Sequence, residues 1–204
     1  MRGFTLLLSA ALLPAGPVLA TQFDRILPAQ SQIGFVSRQM GVPVDGQFRR
    51  FNAQIAFDPG RPEAAQATLE VDLASFDMGS KEVYDEVVSR NWFDVRQFPA
   101  ARFVATGLRH LGGDRYEVRG QMTLKGRTRE VTASFTYRLQ GRNAILEGAF
   151  PLRRLDYGIG TGPWGDTSIV ADEVQVRFRF VAAEAAPAAP GRTPAPGTRP
   201  GGRP

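Results

Sequence analysis

From Glu130 to Gln140 the polarity of the chain alternates without a break. Val131, Ala133, Phe135, Tyr137 and Leu139 fall on one side, and Glu130, Thr132, Ser134, Thr136, Arg138 and Gln140 on the other. Successive side chains of a strand point to opposite faces, so this stretch predicts a strand with one buried and one wet face. The pattern recurs. Phe51, Ala53, Ile55 and Phe57 alternate with polar neighbours, as do Ala67, Leu69, Val71 and Leu73. Tyr116, Val118, Gly120, Met122 and Leu124 form another stripe, and Val174, Val176, Phe178 and Phe180 a further one. Weaker alternation covers residues 33–38, 102–109 and 144–152. Phe48 is out of phase with the stripe that begins at Phe51, which predicts a bulge near Arg49-Arg50. Gly112-Gly113-Asp114, Lys125-Gly126 and Gly141-Arg142-Asn143 supply the tight turns of antiparallel hairpins.

One stretch breaks the rhythm. Ser80–Arg90 is rich in helix formers and starts on a serine suited to an N-cap. It predicts the one sizeable helix, of about three turns. The expected fold class is all-β, with about eight antiparallel strands and this helix packed at one end. A barrel of that size is either filled by side chains or holds one small ligand. Small residues such as Ala53, Ala67, Ala105, Ala133, Gly107, Gly120 and Gly148 interleave with the large ones. They suit an open lumen or the taper of a solid core, and the pattern does not choose.

Composition removes several chemistries. The 204 residues contain no cysteine, so disulfides, a thiolate nucleophile and cysteine-bound metals are excluded. The formal net charge is +5. Without the two ends, residues 21–181 hold 21 basic and 19 acidic side chains, a balance unlike that of a nucleic-acid-binding protein. The one histidine, His110, sits beside the Gly112-Gly113 turn, and nothing places a serine against it for a hydrolase triad. Asp156, Asp166 and Asp172 do not have calcium-loop spacing, so no metal site is expected. Gly158-Ile159-Gly160-Thr161-Gly162 lacks the strand–helix context of a phosphate loop.

The ends read differently from the middle. Arg2 precedes an apolar run from Phe4 to Leu13, followed by small residues up to Ala20. This predicts a secretory signal peptide over residues 1–20, cleaved after Ala20. The run is shorter than the roughly 20 residues needed to span a bilayer. Residues 182–204 are dominated by Ala, Pro, Gly, Thr and Arg, which predicts a disordered tail and leaves residues 21–181 as the folded domain.

Five segments carry a resemblance. Gly46-Gln47-Phe48-Arg49-Arg50-Phe51 resembles the early G-x-F-x-x-F segment of the YceI-like, polyisoprenoid-binding family. Residues 91–103, NWFDVRQFPAARF, are similar to its F-F-D-V-x-x-F-P-x-x-x-F stretch. Gly120–Gly126 matches its G-x-L-T-x-x-G hairpin, Arg154–Ile159 its R-x-D-F-G-I segment, and Ala171–Val174 the start of its last strand. Two departures stand out. Arg38-Gln39-Met40-Gly41 lacks the histidine that commonly precedes this glycine, and Val83-Tyr84-Asp85-Glu86-Val87 replaces an R-D-x-H-L run.

The resemblance implies an exported, lipocalin-like eight-stranded barrel whose apolar tunnel holds a prenyl quinone or polyprenyl chain. No other cofactor is implied. It makes Phe51, Ile55, Phe57, Leu69, Val71, Phe103, Met122, Phe135, Tyr137, Phe178 and Phe180 candidates for the lumen wall. Trp92, Phe93 and Phe98 would dock the helix or gate an entrance, and Arg153 and Arg154 are candidate headgroup donors. The expected protein is periplasmic, acts in carriage, storage or stress protection, and has a homodimer as a possible assembly. Two other readings compete. One is a solid-cored envelope interaction protein. The other is an enzyme on an isoprenoid substrate, opposed by the lack of a base–nucleophile pair. An internal void separates the first of these from a carrier.

Overall fold

A computed structural model describes residues 22–186. The alternating stretches become strands: β1 (Phe23–Ile26), β2 (Gln32–Gln39), β3 (Val42–Phe48), β4 (Phe51–Ala56), β5 (Gln66–Asp72), β6 (Phe76–Asp77), β7 (Ala100–Gly112), β8 (Arg115–Leu124), β9 (Arg127–Gln140), β10 (Asn143–Arg153) and β11 (Glu173–Glu184). Helix α1 (Lys81–Val87) lies between β6 and β7. The proposed leader (residues 1–20) and most of the proposed tail lie outside the described residues. No helix among the described residues is long and apolar enough to cross a membrane.

The strands form one curled antiparallel sheet in the order β4-β5-β7-β8-β9-β10-β11-β2-β3-β6, with β1 paired to β11 off that path. Eleven strands therefore replace the expected eight. Two bends and one short addition account for the difference. The expected bulge at Arg49-Arg50 is a full break between β3 and β4. A turn at Leu73–Ser75 splits β5 from β6 at the matching point. The two breaks are tied together: the Arg49 N–H donates to the Ser75 carbonyl at 3.1 Å, and the Arg50 N–H donates to the Ser75 hydroxyl at 3.0 Å. Ser75 is buried, so its hydroxyl meets the backbone polar groups that the bend would otherwise orphan.

The hairpins follow the turn chemistry. Lys125 and Gly126 both have positive φ (48° and 72°), the conformation a two-residue type I′ loop requires. The Lys125 ammonium donates to the carbonyls of Arg90 and Gly158, at 2.8 Å each, and pins this hairpin to the segments around α1 and after β10.

The helix is shorter than expected, seven residues instead of eleven. The Ser80 hydroxyl caps it, accepting from the Val83 N–H at 3.3 Å. It stops because the chain beyond Val88 is needed elsewhere. The Asn91 carbonyl accepts the N–H groups of Gly160 (2.8 Å) and Thr161 (3.0 Å), which a continued helix would prevent. Ser80→Ala is expected to cost about 1 kcal/mol through the lost cap, read as a lower urea midpoint at unchanged slope.

The last strand also departs from the expected boundary. β11 runs to Glu184, and Ala182 is fully buried between β10 and β1. Ala182 and Ala183, which read as tail composition in the sequence, are both buried here.

Candidate functional site

The interior has two dissimilar ends. At one, β1 crosses beneath the sheet and its Phe23 pairs with Phe57 through two main-chain bonds of 2.8 and 3.0 Å. Phe57 then meets Tyr116 at 5.5 Å and Tyr137 at 5.4 Å between ring centroids, and Tyr116 stacks on Phe135 at 5.5 Å. Such edge and offset contacts are favourable in addition to the area they bury. This aromatic cluster is a floor. Burial pushes the Tyr116 and Tyr137 hydroxyls above the usual tyrosine range, so both remain neutral.

At the other end, α1, Trp92, Phe93, Ile159 and Trp164 converge. Trp92 and Trp164 lie 5.7 Å apart, and the Trp164 indole N–H donates to the Glu86 carboxylate at 2.7 Å. The Trp92 indole N–H is buried and has no partner among the described residues.

Between the two ends lies a cavity of ≈ 550 Å³, within the roughly 300–1,000 Å³ typical of small-molecule sites. Its wall includes eleven of the candidate residues: Ile55, Phe57, Leu69, Val71, Trp92, Phe93, Phe103, Met122, Phe135, Phe178 and Phe180. Leu69, Phe103, Met122, Phe178 and Phe180 are inward-facing yet only half-buried, because they border the void. The side chains on which the solid-core reading depended line a space and do not fill it.

The reason is visible at two glycines. A methyl group at Gly148 would stand 2.8 Å from the Phe178 ring, and one at Gly120 would overlap the Phe103 ring. Without Cβ atoms there, both rings occupy the space over the glycines and leave the centre open. Small neighbours at Ala53, Ala67 and Ala105 widen the same space.

Three apolar candidates are not on the wall. Phe51 packs its ring on Phe180 at 5.8 Å. Tyr137 lies in the floor, 6.0 Å from Phe23. Phe98 covers the β8–β9 turn, where a Cβ on Gly126 would come within 2.8 Å of its ring. Alternation told which face each occupies but not its height along the strand. Conversely, Phe35, Phe48, Phe76 and Trp164 line the cavity without having been singled out. Phe48 and Phe76 sit on β3 and β6, the strands the pattern did not predict. Trp164 lies in the loop before β11, where no periodicity exists to read.

The two arginines have other duties. Arg153 is off the wall, with an exposed side chain paired to Asp172 at 2.8 Å. Arg154 does border the cavity, but it is only 2% exposed and its donors are all occupied. Its Nε meets the Ala171 carbonyl (3.1 Å), one terminal nitrogen those of Ile159 (2.9 Å) and Gly160 (2.6 Å), and the other those of Trp164 (2.8 Å) and Val170 (2.7 Å). A guanidinium has five N–H groups. All of them satisfy main-chain carbonyls of residues 159–171, so Arg154 clamps this loop and has none left for a headgroup.

Asp172 anchors the same segment, accepting from the Leu155 N–H (3.0 Å) and from Arg153. Burial pushes its carboxyl up, but these bonds and the charges of Arg153 and Arg154 outweigh it, leaving the pKa below the usual range. A depressed folded-state pKa contributes stability above the unfolded value of about 3.9, and that contribution is lost as pH falls through the folded value. On acidification from pH 6 to pH 3, Asp172→Asn is expected to lose less thermal stability than the parent protein, measured as the shift in melting midpoint at each pH.

His110 donates to or accepts from nothing catalytic; its Nε2 meets the Gly113 carbonyl at 2.8 Å in an exposed turn. Among the described residues, no group of three or more His, Cys, Asp or Glu side chains is placed to hold a metal ion.

The domain profile described as "YceI-like domain" matches residues 25–182. The chain belongs to the YceI-like family. A UPF0312 protein of Pseudomonas savastanoi pv. phaseolicola is 30% identical over 173 residues, covering 79% of this chain and 89% of its own. Among solved structures, Burkholderia cenocepacia BcnA is 41% identical with a TM-score of 0.76, over 78% of this chain and 99% of BcnA. A polyisoprenoid binding domain from Saccharophagus degradans shares the fold at 16% identity and a TM-score of 0.60, over 82% of this chain and 99% of that domain. The YceI-like segments noted in the sequence have structural duties here. Gly46–Phe51 makes the β3–β4 break, Gly120–Gly126 the end of β8 and its turn, and Arg154–Ile159 the loop clamp. In the Arg38–Gly41 segment, Gln39 stands on the cavity wall.

Proposed function

We propose that this YceI-like protein is exported, loses residues 1–20, and holds a long isoprenoid lipid in the lumen, acting as a periplasmic carrier or store and not as a catalyst. The observation that carries this reading is the unfilled apolar cavity of ≈ 550 Å³. An isoprenoid tail is a branched hydrocarbon, and each buried CH₂ contributes about 0.8 kcal/mol before ordering costs. Binding of this kind needs a dry, shaped wall and no base or nucleophile. The Saccharophagus degradans domain, a polyisoprenoid binding domain of the same fold, favours the same ligand class.

We also read the curled sheet as a closed barrel of eight staves. β3 and β4 are one bent stave, and β5 and β6 are another. The two pair along both halves, β4 with β5 and β3 with β6. With β2 and β7–β11, these give eight staves and leave β1 as a floor strap. The void weighs against the solid-cored interaction protein.

The test is extraction. Mature protein purified from its native periplasm is expected to release a prenyl lipid into organic solvent, identified by mass spectrometry, and the stripped protein to take up added prenyl quinone. Protein that carries no isoprenoid and takes up none is not a carrier.

A further inference from the structure

The charged inventory of the lumen is lopsided. Among the described residues, three charged side chains border it: Glu82, Glu86 and Arg154. Glu82 and Glu86 are one helical turn apart, so they face the same way from α1. The Glu82 carboxylate accepts from the Ser80 hydroxyl at 2.7 Å, and Glu86 from the Trp164 indole N–H. Neither forms an ion pair among the described residues; the lysine–carboxylate pair on this helix joins Lys81 to Asp85 instead. A carboxylate has about four lone-pair sites, so each keeps accepting capacity, with Glu82 exposed and Glu86 half-buried at the border of the lumen. Arg154 cannot balance this for a ligand, because all five of its N–H groups already meet main-chain carbonyls.

The helix end of the lumen thus offers acceptors, negative charge and one neutral donor, the unpartnered Trp92 indole N–H, and no free cationic donor. A phosphate would arrive there without the Arg or Lys donors that normally hold it and beside two carboxylates. A hydroxyl or ammonium group would find acceptors ready. Resting on the reading of the lumen as an isoprenoid site, we propose that α1 selects the head of the ligand by charge: a neutral or cationic head, such as a prenyl quinone, alcohol or amine, is taken, and a phosphorylated prenyl chain is rejected.

Three probes with one tail separate the terms: geranylgeraniol, geranylgeranylamine and geranylgeranyl diphosphate. The chain has two tryptophans, Trp92 and Trp164, and both border the lumen, so their fluorescence reports occupancy. With full mature protein stripped of lipid, the diphosphate is expected to bind at least about tenfold more weakly than the alcohol, and the amine at least as tightly. E82Q/E86Q is expected to shrink the gap between alcohol and diphosphate to about threefold or less. A diphosphate that binds as tightly as the alcohol overturns the proposal, and so does a gap unchanged in a folded double variant. If E82Q/E86Q does not fold, E82Q alone, which leaves the Trp164 contact intact, is expected to narrow the gap. If the alcohol, the amine and the diphosphate all fail to bind, the lumen reading itself falls and this inference falls with it.

Discussion

Arg154→Met is expected to destabilise the protein by at least about 3 kcal/mol. The guanidinium is buried, and its five bonds end on the carbonyls of Ile159, Gly160, Trp164, Val170 and Ala171. Methionine replaces the aliphatic stem and supplies none of the donors. Each carbonyl left buried without a partner costs about 1–3 kcal/mol, and water can reach some of them only if the loop opens. The loop carries Trp164, so opening it also uncovers the helix end of the lumen. Arg154→Lys is expected to recover only a minor part, because a single ammonium cannot reach carbonyls spread across a plane. Urea midpoints of the three proteins decide this. A methionine variant within about 1 kcal/mol of the parent would show that the clamp is dispensable.

The second large effect is on binding and leaves stability alone. Ala67 and Ala105 border the lumen on β5 and β7 and are half-buried because they face empty space. Replacing both with phenylalanine fills room that exists already, so neither overpacking nor a new cavity follows. Affinity for a prenyl lipid is expected to fall at least about tenfold, while the melting midpoint stays within about 3 °C. Titration by tryptophan fluorescence gives the first and thermal unfolding the second. Undiminished binding in the filled variant would place the ligand elsewhere on the protein.

Much of this architecture was legible. The eight alternating stretches all became strands, because a stripe of Val, Phe and Leu every second residue has few other ways to be buried. The three strands that escaped had reasons. β3 reads Val-Pro-Val-Asp-Gly-Gln-Phe, with a proline and a glycine that argue against an interior strand. β6 has two residues and β1 four, too few for a period to show.

The lumen was harder to read than its wall. Periodicity gives the side on which Phe103 and Phe178 lie. It does not say that Gly120 and Gly148, on the strands paired with theirs, make room for their rings. That depends on the register between paired strands, β7 with β8 and β10 with β11. Arg154 was singled out for its charge, but its partners come from a loop with no pattern of its own. A basic residue that serves five carbonyls looks, in sequence, the same as one that waits for an anion.

The floor has a consequence for how the molecule is held. The Ala185 N–H donates to the Gln22 carbonyl at 2.7 Å, and Phe23 pairs with Glu184, so the chain enters and leaves the fold side by side beneath the aromatic floor. Residues 22 and 185 thus mark one pole for any attachment, opposite the pole bearing Glu82, Glu86 and Trp164.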